Sequence, residues 1–198
     1  KNRALWSEVY TKVDWKEFDR CLEKLPGYCR DVLGQAGELF QMGQSFLAGR
    51  LHIRIDQGKL GGNAYAAFQI AIENLVNRLK DLLDLLTRIN NLVTLENDDF
   101  EFVKMEILKS KADLTQIAEG LQQILTAEEG ERVTYLEKSN TLYLKNTLMD
   151  IQGVLRDKIF HKNNCTVLTS ATLTVAGSFD YFARDIGVEN PLNLQLDS

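Results

Sequence analysis

Proline and histidine are scarce, with two of each in 198 residues, and cysteine occurs three times. Few prolines suit long uninterrupted helices, because proline lacks the amide that an interior turn needs. Two histidines with Cys21, Cys29 and Cys165 are a thin supply of metal ligands. Cys21 and Cys29 lie eight apart and Cys165 is remote, so no four-thiolate zinc or iron–sulfur set can form within these residues. Buried, apolar thiols are the default for such cysteines. No run approaches the roughly 18 consecutive apolar residues of a membrane span. There is no basic excess either: the net charge is −5, which gives no support to non-specific nucleic-acid binding.

What is present is an ordinary globular composition, 44% hydrophobic and 26% charged, too apolar for disorder. It fits a helix-rich, intracellular, cytoplasmic protein with one sizeable core or two small ones. Lys1 is not a start methionine, and Leu196-Asp197-Ser198 follows just after an apparent strand begins. We therefore expect a piece of a longer protein.

The first quarter reads as helices. Asp14 with Glu17 three residues on has the spacing of a capping box. Pro26-Gly27 is expected to break the chain. Beyond it Cys29, Val32, Ala36, Leu39, Gly43 and Phe46 recur at steps of three and four. Gly34, Gly37 and Gly43 point to close backbone packing. Leu51–Ile55 alternates apolar and polar, as a short strand does.

The clearest pattern is Tyr65, Phe68, Ile72, Leu75, Leu79, Leu82, Leu86, Ile89 and Val93, an unbroken alternation of threes and fours. Such a heptad keeps one stripe of a helix against a partner helix. Asn63 is a plausible cap, and Asn97-Asp98-Asp99 supplies a polar turn. A second helix then carries Val103, Ile107, Leu114, Ile117, Leu121 and Ile124, with Ser110 on the same line. The two helices, each roughly 40–45 Å long at 1.5 Å per residue, are expected to fold back as an antiparallel hairpin. Residues 94–131 hold ten acids against three lysines, so this hairpin carries −7 and the rest of the chain +2. Residues 132–136 and 141–144 read as paired strands. Asp150 is expected to cap a helix through Phe160, Cys165–Thr169 to form a buried strand, and Ser178 to cap a short helix closed by Gly187. The fold class is thus mainly α: a helical region over 1–130, then a small α/β segment over 131–198.

Several features invite chemistry. Gly58-Lys59-Leu60-Gly61-Gly62-Asn63 precedes a helix, but Leu60 follows the lysine and Ile53 sits where a phosphate loop needs glycine, so a flexible turn is preferred. His52 and His161 are isolated, without a nucleophile partner pattern. Trp6, Tyr10, Trp15 and Phe18 could stack on exposed bases, yet their helical spacing is that of core residues. The strongest signal is Val167-Leu168-Thr169-Ser170-Ala171-Thr172-Leu173, an apolar run ending in small hydroxyl residues that can reach phosphates or a neighbouring loop.

With Gly177-Ser178-Phe179-Asp180-Tyr181-Phe182 and Asp185-Ile186-Gly187 after it, and Leu155–Phe160 before it, this stretch resembles the motif III region of DinG-type helicases, superfamily 2 DNA helicases related to XPD. The match covers about residues 150–190. The resemblance implies that residues 1–130 are the family's helical arch insertion and that 131–198 belong to a RecA-like motor domain. It implies that Ser170, Ala171 and Thr172 couple nucleotide state to DNA movement. It also implies ATP, magnesium and single-stranded DNA as ligands of the parent protein, the rest of the motor as partner, no membrane, and a link to DNA repair. Some relatives carry an iron–sulfur cluster, and Gram-positive ones often a 3′–5′ exonuclease domain. The Walker A loop, the DEAH box and the arginine-bearing motif VI are absent from these residues, so this piece is expected not to hydrolyse ATP, and the acidic face of its hairpin makes it a weak ligand at most for single-stranded DNA. The competing reading is a non-enzymatic helical-hairpin adaptor for another protein.

Overall fold

The computed structural model describes residues 14–92, 98–126, 130–162, 165–170 and 172–195. The chain is mainly helical with one small antiparallel sheet. It forms two compact units, Lys1–Ala127 with Thr134–Asn146, and Glu128–Val133 with Thr147–Ser198. Among the described residues, no helix is long and apolar enough to cross a membrane.

Helix α1 spans Trp15–Leu47. Asp14 caps it, its carboxylate accepting from the Glu17 amide at 3.1 Å. Strand β1 is His52–Arg54, α2 is the single turn Gln57–Leu60, α3 is Gly62–Leu92 and α4 is Asp98–Thr126. Strands β2, Arg132–Lys138, and β3, Leu142–Leu148, complete a sheet of order β1-β2-β3. In the second unit α5 is Gln152–Leu155, continued by a π-helical turn over Arg156–Phe160, and α6 is Asp180–Ile186. The Asp150 carboxylate accepts from the Gln152 amide at 2.8 Å and Ser178 Oγ accepts from the Asp180 amide at 3.0 Å, but the N-cap positions belong to Ile151 and Phe179, so each expected cap instead holds the first helical amide from one residue further out.

The heptad of α3 is the spine of the first unit. Phe68, Ile72, Leu75, Leu79, Leu82, Leu86 and Ile89 are all buried. Val76 and Leu85 are buried too, because α3 packs on both α1 and α4 and so needs a wider stripe than a two-helix seam. The main cluster joins Leu39 and Leu47 of α1, Phe68, Ile72, Leu75, Val76 and Leu79 of α3, Ala118 and Leu121 of α4, and Ile53 and Leu136 of the sheet. A second cluster brings Cys21 to Leu85 and Ile89, with Phe18, Leu25 and Ile107 around it. Early α1 and early α4 therefore both meet late α3, which makes each pair antiparallel.

Four details depart from the sequence expectation. Pro26 lies inside α1 and does not end it. The helix has Cys21 packed on one side of Pro26 and Leu39, Gly43 and Leu47 on the other, and this tertiary burial outweighs the lost amide bond. Pro26→Ala is accordingly expected to raise stability by about 1–3 kcal/mol, read as a higher urea midpoint. A lower midpoint would overturn this account of α1. Asn63 is not a cap: α3 begins at Gly62, and the Gly61 carbonyl takes the Tyr65 amide at 3.0 Å. Gly43 does permit a close approach, since a Cβ there would sit 3.1 Å from a Leu136 methyl, but Gly34 and Gly37 face open space. On α4 the packed line is Ile107, Leu114, Ala118, Leu121, Ile124 and Leu125, while Ile117 is 52% exposed and Val103 and Ser110 also face solvent. The expected and observed lines share Ile107, Leu114, Leu121 and Ile124, and the small Ala118 turns the contact stripe towards itself.

Candidate functional site

The Ser170–Thr172 segment belongs to the second unit. Cys165–Ser170 is irregular, not a buried strand, and Val167 is 78% exposed. A strand needs a neighbour for its backbone amides and carbonyls, and none lies beside this segment among the described residues. Ser170 Oγ lies 3.2 Å from Thr172 Oγ1 and accepts from the Thr172 amide at 3.2 Å. The two hydroxyls thus share one small turn. Ala171 lies outside the described residues. Downstream, Val175 and Ser178 exchange two backbone hydrogen bonds of 2.9 and 3.0 Å across Ala176 and Gly177. Both central residues have positive φ, as the tightest hairpin turns require. Ser178 Oγ then holds the Asp180 amide that opens α6, so the tight turn leads directly into the helix.

Arg156 closes this unit. Its Nε donates to the Gly187 carbonyl at 3.4 Å and its guanidinium lies 3.6 Å from the Glu189 carboxylate. Among the described residues, Ser170 and Thr172 hydrogen-bond to each other and not to a side-chain base or acid. The pair is suited to trading hydrogen bonds, not to nucleophilic attack.

The other sequence candidates are scattered. His52 is on an exposed strand position opposite Glu137, and His161 lies 3.8 Å from Asp157 on the surface. Cys21 is buried, Cys29 half-buried and Cys165 exposed. Trp15 and Phe18 meet edge to face at 5.8 Å, with Phe18 packed on the second cluster; Trp6 and Tyr10 lie outside the described residues. Gly58–Leu60 is helical, not a flexible turn. The Lys59 amide is taken by the Asp56 carboxylate at 2.8 Å, which puts a negative charge where a phosphate would need to sit. These residues do not fit the phosphates of ATP, and no hydrolytic step is assigned to them.

The sheet carries two features that sequence reading missed. On its solvent side the Lys145 ammonium lies 5.8 Å from the ring centres of both Tyr135 and Tyr143 and 2.9 Å from the Glu137 carboxylate. The Glu137 hydrogen bond pushes the Lys145 pKa up, helped by the charge of that carboxylate and of the tyrosines, against a smaller opposing effect of desolvation. The alternation of residues 132–138 and 142–148 was the available signal. The second feature is a concavity of about 410 Å³ where α1 hands over to β1, lined in part by Arg50 and Lys138.

Comparison with known proteins reaches part of the chain. It is 26% identical over 122 residues to the probable ATP-dependent helicase YpvA of Bacillus subtilis (strain 168), covering 60% of this chain and 18% of that protein. It is also 26% identical over 104 residues to the 3′-5′ exonuclease DinG of Bacillus subtilis (strain 168), covering 49% of this chain and 11% of that protein. The chain thus spans less than a fifth of either relative. No family model matches it, and no solved structure does. The likeness carries a helicase, DinG-like relationship at low identity.

Proposed function

We propose that this chain is the arch insertion and adjoining motif III segment of an ATP-dependent DNA helicase of the DinG type. Residues 1–130 form the arch, and 131–198 contribute to a RecA-like motor domain. The observation that carries the reading is the partial likeness to the two Bacillus subtilis proteins, one of them a probable ATP-dependent helicase. The Ser170–Thr172 turn and the exposed Val167 and Leu168 beside it agree with a strand whose sheet is supplied by other parts of the parent. In that setting the parent binds ATP and magnesium and moves on single-stranded DNA, with DNA repair as its field. This piece guides DNA and has no ATPase activity of its own. Walker A and DEAH sequences upstream in the same gene, with an arginine motif downstream, are expected.

Ser170 and Thr172 act as coupling residues in this reading. A short hydroxyl can exchange partners as ATP becomes ADP and so bias a two-state element. Thr172→Ala in the parent is expected to slow unwinding by up to about tenfold, since one such bond is worth about 0.5–1.5 kcal/mol, while ATP hydrolysis changes less. Equal loss of both activities would remove the coupling role.

One observation favours a helical adaptor instead: Phe102, Met105 and Leu108 are exposed on α4, an apolar surface beside many acids. A gene without motor motifs on either side would decide for it.

A further inference from the structure

The concavity at the end of α1 is built by two backbone devices. The chain leaves the helix through Ala48 and Gly49, both with positive φ, and the Arg50 amide bonds back to the Leu47 carbonyl at 2.8 Å. The Lys138 amide then donates to the Leu51 carbonyl at 2.7 Å, which fixes the last residue of β2 beside the segment entering β1. The space so enclosed is about 410 Å³, lined by Gln44, Leu47, Gly49, Arg50, Leu51 and Lys138. Leu47 is buried and forms the floor, and Leu51 is exposed. Among the described residues neither Arg50 nor Lys138 has an ion pair, whereas Arg54, Lys145 and Arg156 are matched by Asp56, Glu137 and Glu189.

We propose that this concavity binds one nucleotide unit of single-stranded DNA. Arg50 and Lys138 hold the phosphate, the guanidinium through paired N–H groups and the ammonium as a point charge. Leu47 and Leu51 take the flat apolar body of the base, and Gln44 can reach its polar edge. Two unpaired cations select an anion, and the apolar floor selects one that carries a hydrophobic body. The volume is near the low end of the about 300–1,000 Å³ of ligand cavities, which suits one such unit and excludes a helix. The proposal rests on the helicase reading and gives the arch a definite contact for the strand. Arg50 also lies three residues past the end of α1, near its carbonyl end, where any cation is favourable. Lys138 comes from β2 and has no such role, so the test turns on Lys138.

The experiment is an amide NMR titration of the whole chain with a short oligothymidylate. Shifts confined to residues 47–51 and 138–139 are expected. Lys138→Gln should weaken them severalfold with an unchanged melting temperature, and Arg50→Gln with Lys138→Gln should abolish them. Affinity should fall about fourfold between about 20 and about 150 mM salt, because one phosphate on a single strand gives a log–log slope of about −0.7. Shifts that are absent, centred on Tyr135 and Tyr143, or unchanged by Lys138→Gln overturn the proposal. So does an equal response to polyglutamate, which would make the site a peptide site, or to inorganic phosphate alone, which would make it a free-anion site. The helicase reading is decided separately by Thr172→Ala and the flanking motifs, neither of which involves this surface.

Discussion

Phe68→Ala is expected to destabilise the helical unit by about 3–5 kcal/mol, the usual cost of emptying a buried phenyl site. Phe68 is 1% exposed and its ring meets Phe46 edge to face at 5.9 Å. It shares a cluster with Leu47, Ile72 and Leu136, which come from two helices and the sheet. Elements that are rigid along their length cannot close around a lost ring, so the vacated volume persists. Whole domains are commonly stable by only about 5–15 kcal/mol, so this one change removes a large share. Ile70→Ala supplies the control. Ile70 is two residues away on the same helix but 56% exposed, and its loss should stay within about 0.5 kcal/mol. Urea midpoints followed by helical circular dichroism read both, and equal shifts would show that α3 does not bury the face described.

The same pair of residues shows why α3 was legible. A helix packed along its whole length writes its contacts at fixed steps, and Phe68 falls on the line while Ile70 falls off it. The cap at Asp14 and the local bonds of Asp150 and Ser178 to the amides two residues on were legible for a similar reason, since the side chain and the amide it binds lie within three residues. Pro26 misled because a local penalty was weighed without the burial on both sides of it. The pairing of His52, Ile53 and Arg54 with Glu137, Leu136 and Tyr135 spans more than eighty residues of sequence. Nothing local announces such a pairing, so β1 could be anticipated but its partner could not. The Arg50–Lys138 concavity is a product of that pairing and was hidden with it, whereas the Lys145–tyrosine stack lies on β2 and β3, whose pairing was expected. At Ser170–Thr172 the situation is reversed. The residues stood out as a motif, but their exposed turn did not, because strand propensity in Val167 and Leu168 acts only when a neighbouring strand is there to accept it.

Gly187→Ala is expected to cost the second unit about 2–5 kcal/mol, combining a left-handed backbone with an overfilled contact. Gly187 has φ +74 and terminates α6. Its amide bonds the Arg184 carbonyl at 3.1 Å and the Val188 amide bonds the Ala183 carbonyl at 2.9 Å, the two bonds of a Schellman cap. An added Cβ would lie 2.9 Å from both the Cβ and the carbonyl oxygen of Gln152 and 3.0 Å from its Cα. Two of these atoms are backbone, so the clash cannot be relieved by turning a side chain; α5 itself has to move. Moving it draws Arg156 away from the Gly187 carbonyl and from Glu189, and the cost spreads through the unit. Gly153→Ala, at a helical position in the same unit with open space around it, should instead be neutral or slightly stabilising. Amide hydrogen exchange at residues 183–188 separates the two, with faster exchange in Gly187→Ala alone. Because Ser178 Oγ holds the first amide of α6, loosening that helix also frees the turn leading back to Thr172. In the proposed helicase, Gly187→Ala should therefore impair coupling in the same direction as Thr172→Ala, but with a loss of stability that Thr172→Ala does not bring. If Gly187→Ala and Gly153→Ala exchange alike, α5 and α6 are not joined through this contact and the coupling effect should vanish with it.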